Sequence, residues 1–205
     1  MTVLPLGDDE NRFSPEWLQR VHSTLDEVDD VLVTTGGGKF YSNGLDLEWL
    51  MANGDKASEY VAEVQELFAR VLTLPVPTVA AINGHAFGAG AMLAMAHDFR
   101  VMRSDRGYFC FPEADINIPF TPGMAALIQG KLTPSAAIAS MTTGRRFGGP
   151  DALSFGLVDE IAAEGDVVKV ASERVKALAG KDRGTLGAIK ATMFAPAVTA
   201  LRTPA

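Results

Sequence analysis

Three glycines between two apolar runs are the first feature of the sequence that could do chemistry. Residues 76–82 contain β-branched side chains and predict a buried strand, while the small apolar residues 91–96 predict a buried helix. Gly84, Gly88 and Gly90 lie between them, and glycine allows a tight turn and close approach of the backbone. A helix start presents unpaired N–H groups that stabilise negative charge. The residues alone are equally compatible with a tight turn that binds nothing.

A carboxylate, Glu113, lies in an apolar part of the chain. Its neighbours in sequence are largely aromatic or branched: Phe109, Phe111, Ile116, Ile118 and Phe120. Removal from water would raise the pKa of this carboxyl group and suit it to moving a proton near neutral pH. The residues alone also allow a surface carboxylate that caps the next element. Asp115 is the nearest competitor for a proton-transfer role.

A second irregular stretch, residues 39–47, follows a predicted strand at 31–35 and three glycines at 36–38. Open α/β sheets usually place ligands in loops that follow the carboxyl ends of strands. Asp46 is predicted to cap a short helix at 47–51. The glycines lack the lysine and the spacing of a P-loop, which argues against that phosphate-binding motif.

The remaining pattern predicts the elements that must position these loops. Residues 1–6 predict at most a short edge strand, and Ser14 with Pro15 predicts a helix start. Further strands are predicted at 99–103, 108–111 and 157–161, with a break at 112–115. Helices are predicted at 57–72, 121–130, 134–143, 167–178 and 185–194, with a short one from 150. Without a linker, repeat or low-complexity tract, the sequence predicts one α/β domain.

The charge and the residue composition argue against several classes of partner and site. The net charge of −7 and the absence of a Lys/Arg block argue against a nucleic-acid partner. The single Cys110 cannot form an intramolecular disulfide, and the three histidines have no metal-site spacing, so no metal is expected. His97 is expected at a helix end, where a partly charged imidazole would suit the dipole. No signal pattern or membrane-spanning run is found, and the expectation is a cytoplasmic protein without a membrane partner.

Four stretches in order resemble the crotonase (enoyl-CoA hydratase/isomerase) superfamily. They are residues 37–46, residues 77–98, Phe111-Pro112-Glu113, and 144–148 with Ala152 and 156–159. The resemblance covers about 11–161 and implies a crotonase-like spiral of ββα units followed by C-terminal helices. It implies a single domain over 1–205, with a spiral core to about 161 and a short helical part at 162–205. The implied assembly is a homotrimer or a dimer of trimers.

The resemblance also implies a site for an acyl-CoA thioester whose enolate oxygen accepts two backbone N–H groups. By position these donors are Leu45 and Ala89, with Glu113 as the catalytic base. The implied substrate-binding residues are Phe40, Ser42, Asn43, Gly44, Asp46, Gly88, Gly90 and Met92. Coenzyme A is part of the substrate, so no separate cofactor is implied.

One departure from the family pattern selects among its reactions. Hydratases of this family carry two glutamates, and this chain has Met92 at the first position and Glu113 at the second. Isomerases that move a double bond from position 3 to position 2 keep only the second, and residues 97–107 are also similar to the plant-type isomerases. The implied activity is therefore enoyl-CoA isomerisation. The alternatives are hydration or another crotonase-type reaction, and a non-catalytic acyl-CoA-binding protein.

Overall fold

The computed structural model describes residues 1–204, which form eight strands and eleven α-helices. The strands are β1 (Thr2–Pro5), β2 (Leu32–Thr35), β3 (Phe40–Ser42), β4 (Thr78–Ile82), β5 (His85–Phe87), β6 (Phe99–Arg103), β7 (Phe109–Cys110) and β8 (Glu160–Ala162). The helices are α1 (Pro15–Glu27), α2 (Leu47–Ala52), α3 (Ala57–Leu72), α4 (Ala89–Ala96), α5 (Glu113–Ile116), α6 (Pro122–Lys131), α7 (Pro134–Met141), α8 (Gly149–Ser154), α9 (Val167–Lys176), α10 (Arg183–Met193) and α11 (Ala195–Arg202).

Two parallel sheets organise the chain. The larger has the strand order β1-β2-β4-β6-β8, and the smaller has the order β3-β5-β7. The chain passes from a strand of the large sheet to a strand of the small sheet and then to a helix, three times in succession. This repeated ββα path aligns the carboxyl ends of β3, β5 and β7 at one edge, because all three strands are parallel.

The large sheet is covered on both faces. Leu32, Ala80 and Met102 belong to the main core, which the long helix α3 helps to form. The alternating residues face the other way and form a second cluster with one side of α9, comprising Val31, Val33, Val79, Ala81, Val101, Val167, Ala171 and Val175. Burial on both faces explains why β4, at the centre of the sheet, has Thr78 as its one polar residue. Helix α9, from the predicted C-terminal helical part, is therefore integral to the core.

Several helix starts follow directly from the sequence. Ser14 accepts a hydrogen bond from the backbone N–H of Trp17 at 3.2 Å, and a proline follows at the first helical turn. Thr121 and Thr133 do the same for α6 and α7. Asp46 accepts from the Trp49 N–H at 3.0 Å and begins α2, as predicted. In each case a side-chain oxygen satisfies an N–H that the helix cannot.

The structure corrects four expectations about the elements. Residues 40–42 and 85–87, predicted as loop and turn, are the strands β3 and β5. The predicted break at 112–115 contains the start of the short helix α5. The last strand begins at Glu160 and not at residue 157. A further helix, α11, follows the last one predicted and packs on α3 and α6.

His97 is buried and neutral, which corrects the expectation of a partly charged imidazole. Its Nδ1–H donates to the Leu93 carbonyl at 2.8 Å, so Nε2 accepts from the Thr34 hydroxyl at 3.0 Å. Thr34 in turn accepts from the Tyr41 hydroxyl at 2.8 Å. Burial is the main reason that the pKa of His97 is lowered to about 3. This chain of hydrogen bonds ties β2, β3 and the end of α4 together.

The C-terminal helices are held to the core by a buried ion pair. Lys190 of α10 contacts Asp98 with 2.6 Å between Nζ and Oδ2, and it also donates to the Val76 carbonyl at 2.7 Å. Asp98 accepts from the Thr78 backbone N–H at 2.8 Å. Among residues 1–204 no single helix is long and apolar enough to cross a membrane, although α10 and α11, bent by 75°, could do so as a pair by length and composition.

The substitution Lys190→Met is expected to lower the free energy of unfolding by about 3 kcal/mol, because it leaves Asp98 without its cation in a buried site. Adding Asp98→Asn should recover part of that loss. The matched control is Glu66→Gln, which breaks an exposed pair with Arg202 and should cost less than about 1 kcal/mol. Urea unfolding measures the free energy of unfolding of the three variants. Equal losses for Lys190→Met and Glu66→Gln would contradict a stabilising role for the buried ion pair.

Candidate active site

Three predicted catalytic residues follow the three strands of the small sheet. Leu45 comes after β3, Ala89 is the first residue of α4 after β5, and Glu113 is the first residue of α5 after β7. Because the strands are parallel, their carboxyl ends deliver these residues to one cleft. The cleft measures about 220 Å³.

The loop that carries Leu45 is held on both sides. The Gly44 carbonyl accepts from the Phe13 N–H at 2.9 Å, and the Asp46 N–H donates to the Tyr60 hydroxyl at 2.9 Å. The same hydroxyl donates to the Phe13 carbonyl at 2.8 Å. Within residues 1–204 the Leu45 N–H between these anchors has no hydrogen-bond acceptor. This anchored loop therefore holds an N–H without an internal acceptor at a residue that lines the cleft.

The start of α4 supplies a second unpaired donor. Gly88 has φ +51° and ψ −122°, a backbone conformation that residues other than glycine rarely adopt. In the part of the chain that the structure describes, the Ala89 N–H makes no internal hydrogen bond. A Cβ on Gly44 would lie 2.9 Å from the Ala89 nitrogen, so the two donor loops are in direct contact. Leu45 and Ala89 both line the cleft, and two backbone N–H groups that point at one oxygen can stabilise an oxyanion.

Glu113 faces the same cleft from the opposite loop. Its side chain is buried, and the residue is 8% exposed. The Oε2 atom has no hydrogen-bond partner among residues 1–204, and Oε1 lies 3.6 Å from where a Cβ on Gly88 would be. Burial raises the pKa of this carboxyl group to about 7, although a backbone N–H partly offsets the rise. At neutral pH the group can both accept and return a proton.

The walls of the cleft are mostly apolar. It is lined by Leu45, Ala89 and Glu113 together with Arg12, Asn43, Leu47, Phe87, Gly88, Pro112, Ile116 and Ile118. Asn43 and Gly88 were among the predicted substrate-binding residues. Arg12 was not predicted, since nothing in the sequence signals that the turn before α1 folds against the loop after β3.

Other predicted substrate-binding residues support the cleft without lining it. Ser42 is fully buried and accepts from the Gly44 N–H at 3.0 Å, while Asp46 caps α2. Phe40 packs beside His85 on the small sheet, with ring centres 5.3 Å apart. A Cβ on Gly90 would lie 2.3 Å from the Ser42 carbonyl oxygen, which explains the glycine there. Met92 is 1% exposed within α4.

Larger cavities exist elsewhere, but they lack this combination of groups. One of about 490 Å³ lies between α3 and α11, and another of about 510 Å³ lies beside α6 and α7. Neither includes a buried carboxyl group of raised pKa among its described lining residues. The cleft at the end of the small sheet is therefore the candidate active site because of the chemical groups that line it and not because of its volume.

Comparisons with known proteins point to the same family. The family model described as enoyl-CoA hydratase/isomerase matches residues 8–204. The peroxisomal enoyl-CoA delta isomerase 2 of Arabidopsis thaliana is 37% identical over an alignment of 183 residues that covers 82% of this chain and 76% of that relative.

Two solved structures are similar along most of their length. A probable enoyl-CoA hydratase of Mycobacterium tuberculosis has a TM-score of 0.90 at 30% identity, covering 98% of this chain and 88% of that one. Human mitochondrial delta3-delta2-enoyl-CoA isomerase has a TM-score of 0.85 at 23% identity, covering 92% and 76%. These similarities confirm the predicted fold class.

The buried position of Glu113 predicts a pH-dependent stability difference between the wild type and Glu113→Gln. The folded state holds the Glu113 proton more tightly than the unfolded state, because the pKa is about 7 when folded against an ordinary 4.5. The stabilising contribution of Glu113 should thus be complete below pH 4.5 and lost as pH rises through 7. Chemical unfolding across this range should show a relative loss of about 3 kcal/mol. If the difference in free energy of unfolding between the wild type and Glu113→Gln does not change with pH, the burial of the Glu113 carboxyl group is contradicted.

Proposed function

The chain is an enzyme of the enoyl-CoA hydratase/isomerase family, and from this premise we propose that it moves the double bond of a 3-enoyl-CoA to position 2. The observation that carries the proposal is the single carboxyl group in the cleft, Glu113, opposite the unpaired N–H groups of Leu45 and Ala89. Isomerisation needs one base that takes a proton and returns it nearby. Relatives named as delta isomerases support the same reaction.

Each group has a defined part in the proposed reaction. The Glu113 carboxylate removes a proton from C2 of the substrate, and the electron pair moves through the thioester carbonyl to form a dienolate. The dienolate oxygen accepts hydrogen bonds from the Leu45 and Ala89 N–H groups, which stabilise its charge. The protonated Glu113 then delivers the proton to C4, which leaves the double bond at position 2. The reaction needs no added cofactor, because coenzyme A belongs to the substrate.

The apolar walls suit this reaction better than hydration. Hydration of a 2-enoyl-CoA requires a water molecule that is both positioned and deprotonated, and two carboxylates do this better than one. Among the described residues that line the cleft, Glu113 is the only acid. The M. tuberculosis relative is named as a probable hydratase, so hydration is the second candidate. The trimeric assembly implied by the resemblance stays a prediction.

The substitution Glu113→Gln should lower isomerase turnover by about 10²–10⁴-fold while acyl-CoA binding changes little, because it removes the base and keeps the side-chain shape. The measurement is the absorbance of conjugated 2-enoyl-CoA formed from a 3-enoyl-CoA. Asp115→Asn is the matched control, since Asp115 is an exposed acid on the same short helix, and it should retain turnover. If Glu113→Gln keeps a third of the wild-type rate, the assignment of the base is wrong.

The contact between the two donor loops gives a second prediction. Gly44 has φ +82°, and a Cβ there would lie 2.8 Å from the Phe87 carbonyl oxygen and 2.9 Å from the Ala89 nitrogen. Gly44→Ala should therefore separate the two donors and lower turnover by about 10²–10³-fold, the usual effect of losing one oxyanion donor. Gly54→Ala is the control, because no atom lies within 4 Å of its added Cβ. Equal turnover in both variants would exclude this donor pair.

A further inference from the structure

A further cavity, of about 260 Å³, lies where α10 meets the end of α6 and the segment after α4. It shares no lining residue with the candidate active site. Most of its wall is apolar and comes from Pro77, Phe99, Leu178, Leu186, Ile189, Met193 and Phe194. Lys131, Lys181, Lys190 and Asp98 complete the lining. We call it the α10 cavity.

The charges around the α10 cavity do not balance. Lys190 pairs with Asp98 at 2.6 Å, and the nearby Arg100 pairs with Asp159 at 3.0 Å. Within residues 1–204, Lys131 has no carboxylate within 4.0 Å of its Nζ atom. Two carboxylates thus serve three buried or half-buried cations. Lys131 is the half-buried cation left without a carboxylate, and Lys181, which also lines the cavity, is exposed.

The contacts that Lys131 does make leave room for a ligand. Its Nζ donates to the His97 carbonyl oxygen at 2.9 Å and lies 5.0 Å from the centre of the Phe194 ring. An ammonium group has three N–H donors, so two stay available. The pKa of Lys131 is lowered to about 8, mainly by burial and next by the positive charge of Arg100. A bound anion would relieve both effects.

We propose that the α10 cavity binds a small aliphatic carboxylate, with its carboxylate group on the Lys131 ammonium and its hydrocarbon chain against the apolar walls. Lys131 is the half-buried lysine of this lining without a carboxylate partner, and its ammonium matches the single charge of a carboxylate. A volume of about 260 Å³ is slightly below the usual range of about 300–1,000 Å³ for ligand sites, so the proposal is restricted to a short chain such as that of octanoate. The apolar wall would contribute by removing that chain from water.

Titration calorimetry of the intact protein with sodium octanoate tests the proposal. Octanol and acetate serve as ligand controls, because one lacks the charge and the other lacks the chain. Saturable binding of octanoate that is at least fivefold tighter than that of either control is expected. Comparable binding of octanol or acetate, or no octanoate binding at millimolar concentration, would overturn the proposal.

Variants locate the binding. Lys131→Met removes the charge and keeps an apolar stem, and it should weaken octanoate binding at least fivefold. Lys131→Arg keeps the cation and should bind within threefold of the wild type. Lys169→Met removes an exposed lysine from α9 outside the cavity and should bind as the wild type does. A smaller loss for Lys131→Met than fivefold would overturn the proposal.

A second variant tests the binding site independently, in case Lys131→Met does not fold. Met193 lines the cavity yet is 64% exposed, so Met193→Glu should fold normally and place a negative charge at the cavity wall. Repulsion should then weaken octanoate binding at least fivefold. Circular dichroism confirms folding of each variant. Unchanged octanoate affinity in folded Met193→Glu would place the ligand elsewhere and overturn the proposal.

Discussion

The candidate site depends on one constraint, which is that three very short parallel strands end at the same edge. The strands β3, β5 and β7 contain only two or three residues each, yet their pairing fixes which residues emerge beside one another. The donor loops are pressed together so closely that the Gly44 and Gly90 positions have no room for a Cβ. In the proposed reaction the oxyanion donors are backbone N–H groups, which the sheet can position whatever side chains these residues carry.

The same packing sets the chemistry of Glu113. The apolar side chains that close the cleft remove water from the carboxyl group, and this loss of hydration is the largest cause of its raised pKa. A carboxylate in water would be a weaker base and would exchange its proton with solvent freely. Burial without a hydrogen-bond partner for Oε2 costs stability, and functional sites commonly retain such costs. Burial thus lowers local stability and gives Glu113 a pKa of about 7, which suits the proposed role of proton transfer at neutral pH.

The sequence predicted the long elements well and the short ones poorly. Helix α3 was predicted at 57–72 because sixteen residues display a clear apolar face. Strands β3 and β5 were missed, since three residues are too few to show a period of two. The burial of His97 could not be foreseen, because it depends on Thr34, which lies 63 positions earlier. Arg12 reaches the cleft through contacts that only the folded chain creates. The resemblance identified Leu45, Ala89 and Glu113 by motif, and the structure brings them together.

The central claim is that one shielded carboxyl group carries a proton from C2 to C4. The most direct test uses a 3-enoyl-CoA labelled with deuterium at C2, isomerised in ordinary water and analysed by mass spectrometry and NMR. Transfer by Glu113 within the apolar cleft predicts that a measurable part of the label appears at C4 of the 2-enoyl-CoA product. A product with no deuterium at C4, or one that carries a hydroxyl group at C3, would contradict the single-base account.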